Sequence, residues 1–498
     1  MDRNKAYLAA AAAGIPLLFV LWRSARKPSH PPLPPGPPRD PIIGSVRSFP
    51  PNRWYESFSE MQKKYGDLIY FDILGTKMLV INSLGVAKDL METRGTIHSG
   101  RPNDVMNISV MGWGWNFVIA QLGQFHTDCR SILKKAMGQQ EMEAHRELIK
   151  EEATNLIPEL MHFEGDPWEI IQPRIGAVTI RLTYGDSVHQ EYGKELAKLN
   201  EDTLHLVTSV SVQFWLVNFI PALHYLPDWL PLAFKKVGKE GTALQEKVHY
   251  WGWELTEKHH KQGIAGPSIA LQYIEEGKNT DVARDALGMA YSAGVDNTAS
   301  ALESFISMML LYPDVQKKAQ AELDRVISPG ELPEFRDRDA LPYLDASWRE
   351  SQRFNPSTPL GVPHTASQED VYKGMYIPKG TILTTNIGYM CRDPTIWDEP
   401  DVFRPERWLP SHNPNAHLLP DISFVFGFGR RICPGMFLAD EVAFTFAAAI
   451  LQAYDIVPLV GDTLPKEYVY QDAVIRRPEG MRCRFLPRNP LPSRGEYY

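Results

Sequence analysis

Apolar and polar positions along this chain follow two different periods. Two β-rich runs, Leu68–Ile73 and residues 78–81, are separated by turn residues, which predicts a hairpin. From about residue 84 to residue 353, the apolar positions mostly recur with the 3.6-residue period of helices. Turn and short-strand signals return at residues 378–380 and from residue 456 onward. The pattern predicts a mainly α protein with small β-sheets.

The longest helical candidate covers residues 281–312, and Pro313 is placed to begin the helix that follows. Its middle contains Gly294, followed closely by Asp296. A glycine inside a helix costs on the order of 1 kcal/mol relative to alanine. We therefore expect a specific reason for a glycine at this point.

Residues 6–22 form an apolar run nearly as long as the roughly 20 residues that cross a bilayer as a helix. A cleaved signal peptide and an interfacial helix are alternatives, and Pro16 weakens a straight span. Against cleavage, the run is followed by Arg23 and two further basic residues, where a signal peptide would have small ones. The sequence favours an N-terminal transmembrane anchor over residues 1–27, with the body of the protein on the cytoplasmic side.

Residues 28–45 are rich in proline and are typical of a stiff hinge, because proline cannot continue a helix. No low-complexity linker or internal repeat divides the remainder. We therefore expect residues 46–498 to form one large domain.

Composition adds limits to this outline. The 498 residues are 44% hydrophobic and 22% charged, as in an ordinary globular protein, and the net charge of -8 argues against nucleic acid as a partner. The four cysteines are widely spaced, so neither a disulfide framework nor a zinc site is indicated, and a reducing compartment fits. Asn107 begins a glycosylation triplet that we expect to be unused.

The ten residues from Phe426 to Gly435 carry the clearest chemistry. They place Cys433 before a helix and between glycines and arginines, an arrangement suited to presenting a thiolate to a heme iron, because nearby backbone N–H groups keep the sulfur deprotonated. Gly435 lets the backbone approach the porphyrin, Arg431 can pair with a propionate, and Phe426 can pack beside the ring. The alternative is a buried cysteine between two turns, but the complete pattern favours heme.

The same run matches the heme-binding signature Phe-x-x-Gly-x-Arg-x-Cys-x-Gly, and the chain resembles the cytochromes P450 along nearly its whole length. The resemblance implies a cytochrome P450-like fold in which residues 46–498 are a heme-thiolate catalytic domain. It also implies heme b as the cofactor, with Cys433 as the metal ligand.

A second motif supports the resemblance. Glu350 and Arg353 lie three residues apart, which by itself is typical of a surface pair. The segment Phe-Arg-Pro-Glu-Arg-Trp follows at residues 403–408 and supplies Arg407. In the resembled family such an arginine completes a buried Glu-Arg-Arg cluster, which we expect to fix the loop that carries Cys433.

The segment around Gly294 resembles the family's Ala-Gly-x-Asp/Glu-Thr motif, where the helix opens beside the iron. By this resemblance Asp296 would feed protons, and a neighbouring hydroxyl would hold dioxygen. This chain departs from the motif, because Asn297 follows the acid and Thr298 comes one place later, which rotates the hydroxyl by about 100° around the helix. Either residue could serve in catalysis, or both could be polar residues in a helix groove.

The resemblance also suggests residues for the propionates. The family usually has a tryptophan followed four residues later by an arginine, and here the pair is His126 and Arg130. His364 falls where the family places an arginine or histidine on the other propionate. Each histidine could equally be an ordinary satisfied side chain.

Substrate contacts are expected from the loop at residues 106–117, the helix groove near Gly294, and the turn at residues 358–362. An apolar pocket with few charges suits a hydrocarbon-like substrate, although these side chains could also belong to the core. The candidates are Trp113, Trp115, Ala290, Gly294, Leu360 and Val362. Residues 214–234 contain several aromatic and apolar residues among prolines, including Trp215, Phe219, Ile220, Trp229 and Leu230, and are expected to contact membrane lipid.

The predicted function is a monooxygenase of the endoplasmic reticulum membrane. The chain has no flavin or nicotinamide fingerprint, so electrons should come from NADPH through a separate cytochrome P450 reductase, with Lys134, Lys135 and Arg430 as a basic docking face. The motif set resembles fungal monooxygenases of secondary metabolism, which suggests a terpenoid or related substrate. Two other functions stay open: a heme-thiolate isomerase or dehydratase, and a noncatalytic heme-containing lipid carrier.

Overall fold

The computed structural model describes residues 30–211, 213, 215–227 and 229–488. The predicted anchor over residues 1–27 lies outside the described residues, as does Phe214. Within the described part, helices dominate and the sheets are small, as the hydrophobic pattern predicts.

The helices of eight or more residues are named here in chain order. They are α1 (Trp54–Tyr65), α2 (Gln124–Met137), α3 (Arg146–Leu160), α4 (Trp168–Tyr184), α5 (Asp186–Ser211), α6 (Ala233–Gln262), α7 (Ile269–Glu276), α8 (Thr280–Leu311), α9 (Pro313–Val326), α10 (Pro342–Phe354) and α11 (Met436–Ala453). Shorter helical turns connect them, including Met106–Val110, Trp113–Trp115 and Ile422–Phe426.

Helix α8 is the longest described helix, with 32 residues, and Pro313 begins α9, so both predictions are confirmed. The helix is apolar on most sides and packs against α2, α4, α6 and α11. A helix that is hydrophobic all round belongs in the centre of a protein. Helix α11 is long and apolar enough to cross a membrane, but 72% of it is buried inside the protein, as in a core helix.

The strands form three small sheets. The strands are β1 (Leu68–Ile73), β2 (Thr76–Ile81), β3 (Glu164–Gly165), β4 (His364–Thr365), β5 (Asp370–Tyr372), β6 (Met375–Ile377), β7 (Ile382–Thr385), β8 (Tyr454–Val457) and β9 (Cys483–Pro487). The sheet orders are β1-β2-β7-β4, β3-β9-β8 and β5-β6.

The predicted hairpin is confirmed, since β1 and β2 pair antiparallel with Ile73 opposite Thr76. The turn consists of Leu74 and Gly75, both with positive φ (50° and 88°). Such a turn matches the twist of the flanking strands. Strand β2 then pairs in parallel with β7, which ties the beginning of the chain to its C-terminal third.

Two hydrophobic clusters meet at the Cys433 loop. A large helical cluster contains the buried faces of α4, α8 and α11 and includes Leu438. A smaller cluster beside the first sheet contains Met91, Trp397 and Phe428. Because the chain passes from Phe428 in one cluster to Leu438 in the other, the intervening loop is held at both ends by packed core.

Candidate active site

The loop that carries Cys433 is shaped by two glycines with positive φ. Gly427 has φ 93° and Gly429 has φ 53°. A Cβ on Gly429 would lie 2.4 Å from the carbonyl oxygen of Met91, so this position requires glycine. The backbone N–H of Cys433 donates to the carbonyl oxygen of Phe426 at 2.9 Å. The loop therefore turns tightly, and α11 begins directly after Gly435.

A cavity of about 310 Å³ lies over this loop. Its lining includes Phe426, Cys433 and Gly435 on the loop side and Asn297 and Thr298 from α8. Of the four cysteines, all of which the structure describes, Cys433 is the one that lines the cavity, while the other three are buried elsewhere. The fold thus places the cysteine singled out in the sequence opposite the motif of α8.

Three arginines line the cavity, and none of them forms an ion pair with a described carboxylate. The Nη1 atom of Arg101 donates to the carbonyl oxygens of Val362 (2.8 Å) and Pro363 (2.7 Å). The Nη1 atom of Arg130 donates to the carbonyl oxygen of Ile432 at 2.8 Å. Each of these two guanidinium groups is therefore held by backbone dipoles rather than by a counter-charge.

Arg431 completes the set. It donates from Nε to the carbonyl oxygen of Ser99 and from Nη2 to that of Ala120, but its Nη1 atom is buried without a partner. Burial and neighbouring arginines lower the pKa of Arg101 to about 9 and that of Arg431 to about 10. A buried cation without an anion is costly, so these side chains indicate an anionic ligand in the cavity.

Two histidines share this wall. Burial and the nearby arginines lower the pKa of His126 to about 4 and that of His364 to about 3, so both rings are neutral at pH 7 in the described chain. The Nδ1 atom of His364 lies 2.9 Å from the carbonyl oxygen of His98. Since a carbonyl oxygen only accepts, Nδ1 carries the proton, and Nε2 of the neutral ring is left as an acceptor. His364 can therefore donate to a propionate only as an imidazolium.

The polar residues of α8 are arranged differently from the expectation. The helix is continuous from Thr280 to Leu311, so it shows no opening at Gly294. Asn297 donates through Nδ2 to the carbonyl oxygen of Ala293 at 3.0 Å, and the hydroxyl of Thr298 donates to that of Gly294 at 2.8 Å. Both side chains line the cavity while bonded back to their own helix.

Asp296 does not line the cavity. Its Oδ1 atom accepts a hydrogen bond from Nε2 of Gln172 on α4 at 3.1 Å. Burial raises the pKa of the Asp296 carboxyl from 3.8 to about 6, because the neutral amide offsets only part of the lost hydration. The acid expected to supply protons thus lies behind the cavity wall.

The Glu-Arg-Arg cluster is present and fully buried. Glu350 pairs with Arg353 and with Arg407, each at 2.9 Å, and also accepts from the indole of Trp408. The arginines donate to backbone carbonyl oxygens between residues 391 and 402 rather than to the Cys433 loop. The cluster therefore contacts the segment before the loop, and the expected role in fixing the Cys433 loop would act through Trp397, which shares a hydrophobic cluster with Phe428.

The predicted substrate wall is only partly at the cavity. Ala290, Gly294 and Val362 line it. Trp113 and Trp115 do not, because Trp115 stacks on His249 with ring centroids 4.1 Å apart and lies against α6. The prediction also placed Leu360 at the substrate pocket, but its side chain packs against the hydrophobic cluster around Phe58.

The sequence is similar to proteins of one known family. The family model for Cytochrome P450 matches residues 34–484. Cytochrome P450 monooxygenase 226 of Postia placenta is 32% identical, with 92% of this chain and 88% of the relative covered. Cytochrome P450 monooxygenase ple1 of Rhodocybe pseudopiperita is 31% identical, with 96% and 93% covered. The chain belongs to the cytochrome P450 family.

The fold agrees with this assignment. A solved structure of a zebrafish cytochrome P450 with abiraterone aligns with a TM-score of 0.72 at 23% identity, covering 88% of this chain and 99% of the other. Members of the family are heme-thiolate monooxygenases, so the protein is an oxidoreductase whose cofactor is heme with an axial cysteine.

The residues of this P450 fit that cofactor. Two buried arginines and the half-buried Arg130 have no counter-charge among the described residues, and one of the buried pair has an unpartnered Nη1 atom, which matches a ring with two carboxylates. A Cβ built on Gly435 would have only the sulfur of Met137 within 4 Å, at 3.6 Å, so the backbone there borders open space. Cys433 provides the one thiol on the cavity wall.

Sequence reasoning missed two parts of this P450 site. Arg101 is one, because an arginine between glycine and proline gives no signal beyond a turn. Helix α4 is the other: Ile175, Val178, Thr179 and Leu182 line the cavity. Its helical period indicates a buried face but not that the face borders a cavity.

Proposed function

We propose that this P450 inserts one oxygen atom into an apolar small molecule, with Cys433 as the axial ligand of heme b and residues 46–498 as the catalytic domain. The bound heme supplies oxygen activation, so that RH + O2 + 2e⁻ + 2H⁺ becomes ROH + H2O. The observation that carries the proposal is the cavity that brings Cys433 together with three arginines, two buried and one half-buried, none of which forms an ion pair with a described carboxylate.

Cys433 is suited to act as a thiolate. Burial raises the pKa of its thiol, but the backbone N–H of Gly435 and the charge of Arg130 both lower it. A bound metal cation would complete the deprotonation. The same loop would hold the ring through Phe426 and Gly435.

The ring carboxylates would be held by the arginines of the cavity wall. Arg431 supports this role with its unpartnered Nη1 atom, Arg101 with its buried guanidinium group, and Arg130 with its place on the cavity wall. His126 and His364 would add donors, because a nearby carboxylate favours the protonated ring.

Asp296 would supply protons, and Asn297 is better placed than Thr298 to direct them. The single hydroxyl proton of Thr298 is already donated to its own helix. The amide of Asn297 has two N–H groups, and one donation to Ala293 leaves the second for the cavity.

The substrate would be apolar, and a terpenoid or related fungal natural product is the proposed class. Its wall would combine Ala290, Gly294 and Val362 with the α4 face that includes Val178 and Leu182. This wall is mostly aliphatic, which supports a hydrocarbon-like ligand.

The proposed setting is the endoplasmic reticulum membrane, with an N-terminal anchor and a cytosolic body. Exposed apolar side chains support lipid contact, since Tyr225 is 85% exposed and Trp229 is 79% exposed. Electrons would come from NADPH through a separate reductase. Lys134, Lys135 and Arg430 are exposed, which suits a basic docking face.

The test of the heme site is the absorption of the reduced, carbon monoxide-bound protein. We expect the band of thiolate ligation in the wild type and its loss in Cys433→Ala. Cys483→Ala is the matched control, because that buried cysteine lies away from the cavity and should leave the band unchanged. A retained band in Cys433→Ala would refute the assignment.

The test of the reaction is product analysis after coexpression with a reductase and candidate natural-product scaffolds. A hydroxylated product that requires NADPH supports the proposal. A rearranged product formed without NADPH would instead favour the isomerase or dehydratase.

A further inference from the structure

A set of buried polar atoms lies behind the cavity wall, on the face of α8 that carries Asp296. Ser292 is one helical turn before Asp296, so the two side chains share that face. Ser292 is 0% exposed, and its hydroxyl has no protein partner. Among the described residues, the Asp296 carboxylate accepts one side-chain hydrogen bond, from Gln172 on α4.

Helix α5 borders the same place. The hydroxyl of Tyr291 on α8 donates to the carbonyl oxygen of Leu196 on α5. Asn200 lies one turn beyond Leu196 and is 0% exposed, and neither its Oδ1 nor its Nδ2 has a partner among the described residues. The charge of Glu201 acts on Asp296. The two helices therefore run in the same direction, with Leu196 beside Tyr291 at one end and Glu201 near Asp296 at the other.

These three buried polar atoms of Ser292 and Asn200, which have no partner among the described residues, need an explanation. An amide or hydroxyl buried without a hydrogen bond costs roughly 1–3 kcal/mol, and native proteins satisfy such groups with ordered water. Glu201 is exposed to solvent, while Asn200 beside it is fully buried. A hydrated path from the surface at Glu201 to the Asp296 carboxyl satisfies all of these atoms.

We propose that Gln172, Asn200 and Ser292 are positioning residues that hold water against Asp296, so that solvent protons enter along α5 and reload this carboxyl from behind the cavity wall. The inference rests on the proposed role of Asp296 as proton donor. For each of the two protons that a turnover consumes, Asp296 releases one toward the cavity and takes one from the water held by these side chains, so its charge returns to the starting state.

The charges around Asp296 suit this role. Glu201 on α5 and Tyr291 on α8 face it, and Arg477 acts on it from the C-terminal segment. Arg477 is itself paired with Glu303 and Asp166, so its charge is largely compensated. Gln172, from α4, is neutral. Among the described residues, Asp296 therefore has no dedicated cation that would keep it ionised, so it can hold a proton.

The first measurement is an infrared titration of the ferric holoenzyme. The carboxyl band of Asp296 is identified as the one missing in Asp296→Asn. We expect its titration midpoint to rise by about one pH unit in Asn200→Leu, because the leucine side chain fills the space and excludes water from it. The same rise is expected in Gln172→Leu, because the hydrogen-bond donor to Asp296 is lost. Thr203→Val is the control, because this buried hydroxyl on α5 already bonds to Leu199 and its loss should leave the midpoint unchanged.

The second measurement is the rate of dioxygen consumption while the holoenzyme turns over with NADPH and a cytochrome P450 reductase, which supply both electrons. We expect Asn200→Leu to slow it on the order of tenfold and to increase its solvent isotope effect, since proton supply becomes limiting. Asn200→Ser keeps a polar group and room for water and should restore most of the rate. Intact heme absorption in each variant excludes misfolding.

The possible failures can be told apart. If Asp296→Asn slows the reaction while Asn200→Leu and Gln172→Leu behave like the wild type in both measurements, the path along α5 is wrong and the role of Asp296 stands. If Asp296→Asn leaves the rate unchanged, the proposed role of Asp296 is wrong and the path fails with it.

Discussion

At the scale of single residues, the buried cations around the cavity are the least expected feature. Arg431 was predicted to contact a propionate from its place near Cys433, whereas Arg101 is far from that motif in sequence. Only the fold brings both guanidinium groups to one wall, where burial and the charge of Arg431 lower the pKa of Arg101. A ligand with negative charge relieves that repulsion.

Arg101→Leu tests this point. Losing a buried partner of a carboxylate costs about 3 kcal/mol, so we expect heme to bind on the order of 100-fold more weakly. The measurement is the transfer of heme to excess apomyoglobin. Arg404→Leu is the control, because that arginine pairs with Asp398 and Glu399 away from the cavity, and its heme transfer should match the wild type. Equal transfer in both variants would contradict a propionate contact by Arg101.

Glu303 on α8 predicts a pH dependence of stability. Although Glu303 is paired with Arg477, burial raises the pKa of its carboxyl from 4.5 to about 7. Because the folded-state pKa is the higher one, the associated stability is present below about pH 4.5 and is lost as the pH rises through about 7. Glu303→Gln has no such proton, so its melting temperature should rise relative to the wild type across this range. A constant difference between the two melting curves would contradict the shifted pKa.

At the scale of elements, α8 shows how local bonding overrides a motif. The motif predicts an opened helix at Gly294, but Asn297 and Thr298 donate to carbonyl oxygens four residues earlier and help keep the helix closed. The position and length of α8 could be predicted from its period. The directions of its polar side chains could not, because they depend on α4 and α5 packed beside it.

Disrupting the Glu350 cluster on α10 should cause a large loss in the free energy of unfolding. Glu350 accepts hydrogen bonds from Arg353, Arg407, Trp408 and the backbone of Arg404. Glu350→Gln removes the one anion between two buried arginines, so we expect a loss of roughly 3–5 kcal/mol in unfolding free energy.

Denaturant titration followed by heme absorbance measures this loss. Glu60→Gln is the matched control, because that acid pairs with Lys63 on the exposed side of α1 and should leave the midpoint almost unchanged. Similar midpoints for the two variants would show that the buried cluster adds no more than a surface pair.

At the scale of the whole molecule, exposed apolar side chains gather in the segment between α5 and α6. Ile220, Tyr225 and Trp229 all project there. An apolar surface of this kind is unfavourable in water and suits the boundary of a bilayer. Together with the proposed anchor, it would give the protein two separate contacts with a membrane.

These two contacts can be separated. Deleting residues 2–29 should weaken vesicle binding without abolishing it, and adding Ile220→Ser and Trp229→Ser should weaken the remainder at least about tenfold, since each large apolar side chain contributes roughly 1.5–3 kcal/mol on burial. Sedimentation with phospholipid vesicles measures the bound fraction. Leu418→Ser, which changes an exposed leucine elsewhere, should have no effect in the same deletion background. Complete release by the deletion alone would contradict a second contact.

The sequence alone determined the elements and the identity of the heme loop. Periodicity predicts α8 and the β1–β2 hairpin, because hydrophobic spacing and turn residues are local properties of the chain. The Cys433 signature is equally local, since its glycines and its cysteine occupy ten consecutive residues.

Only the tertiary structure decided which distant residues share the cavity. Packing places Arg101 and the α4 face on its wall, and it removes Trp115 and Leu360 from it. The direction in which a buried side chain points depends on neighbours many residues away, which a local pattern does not contain. For the same reason, a role for the buried polar atoms of Asn200 and Ser292 can be inferred only from the packing of α5 against α8.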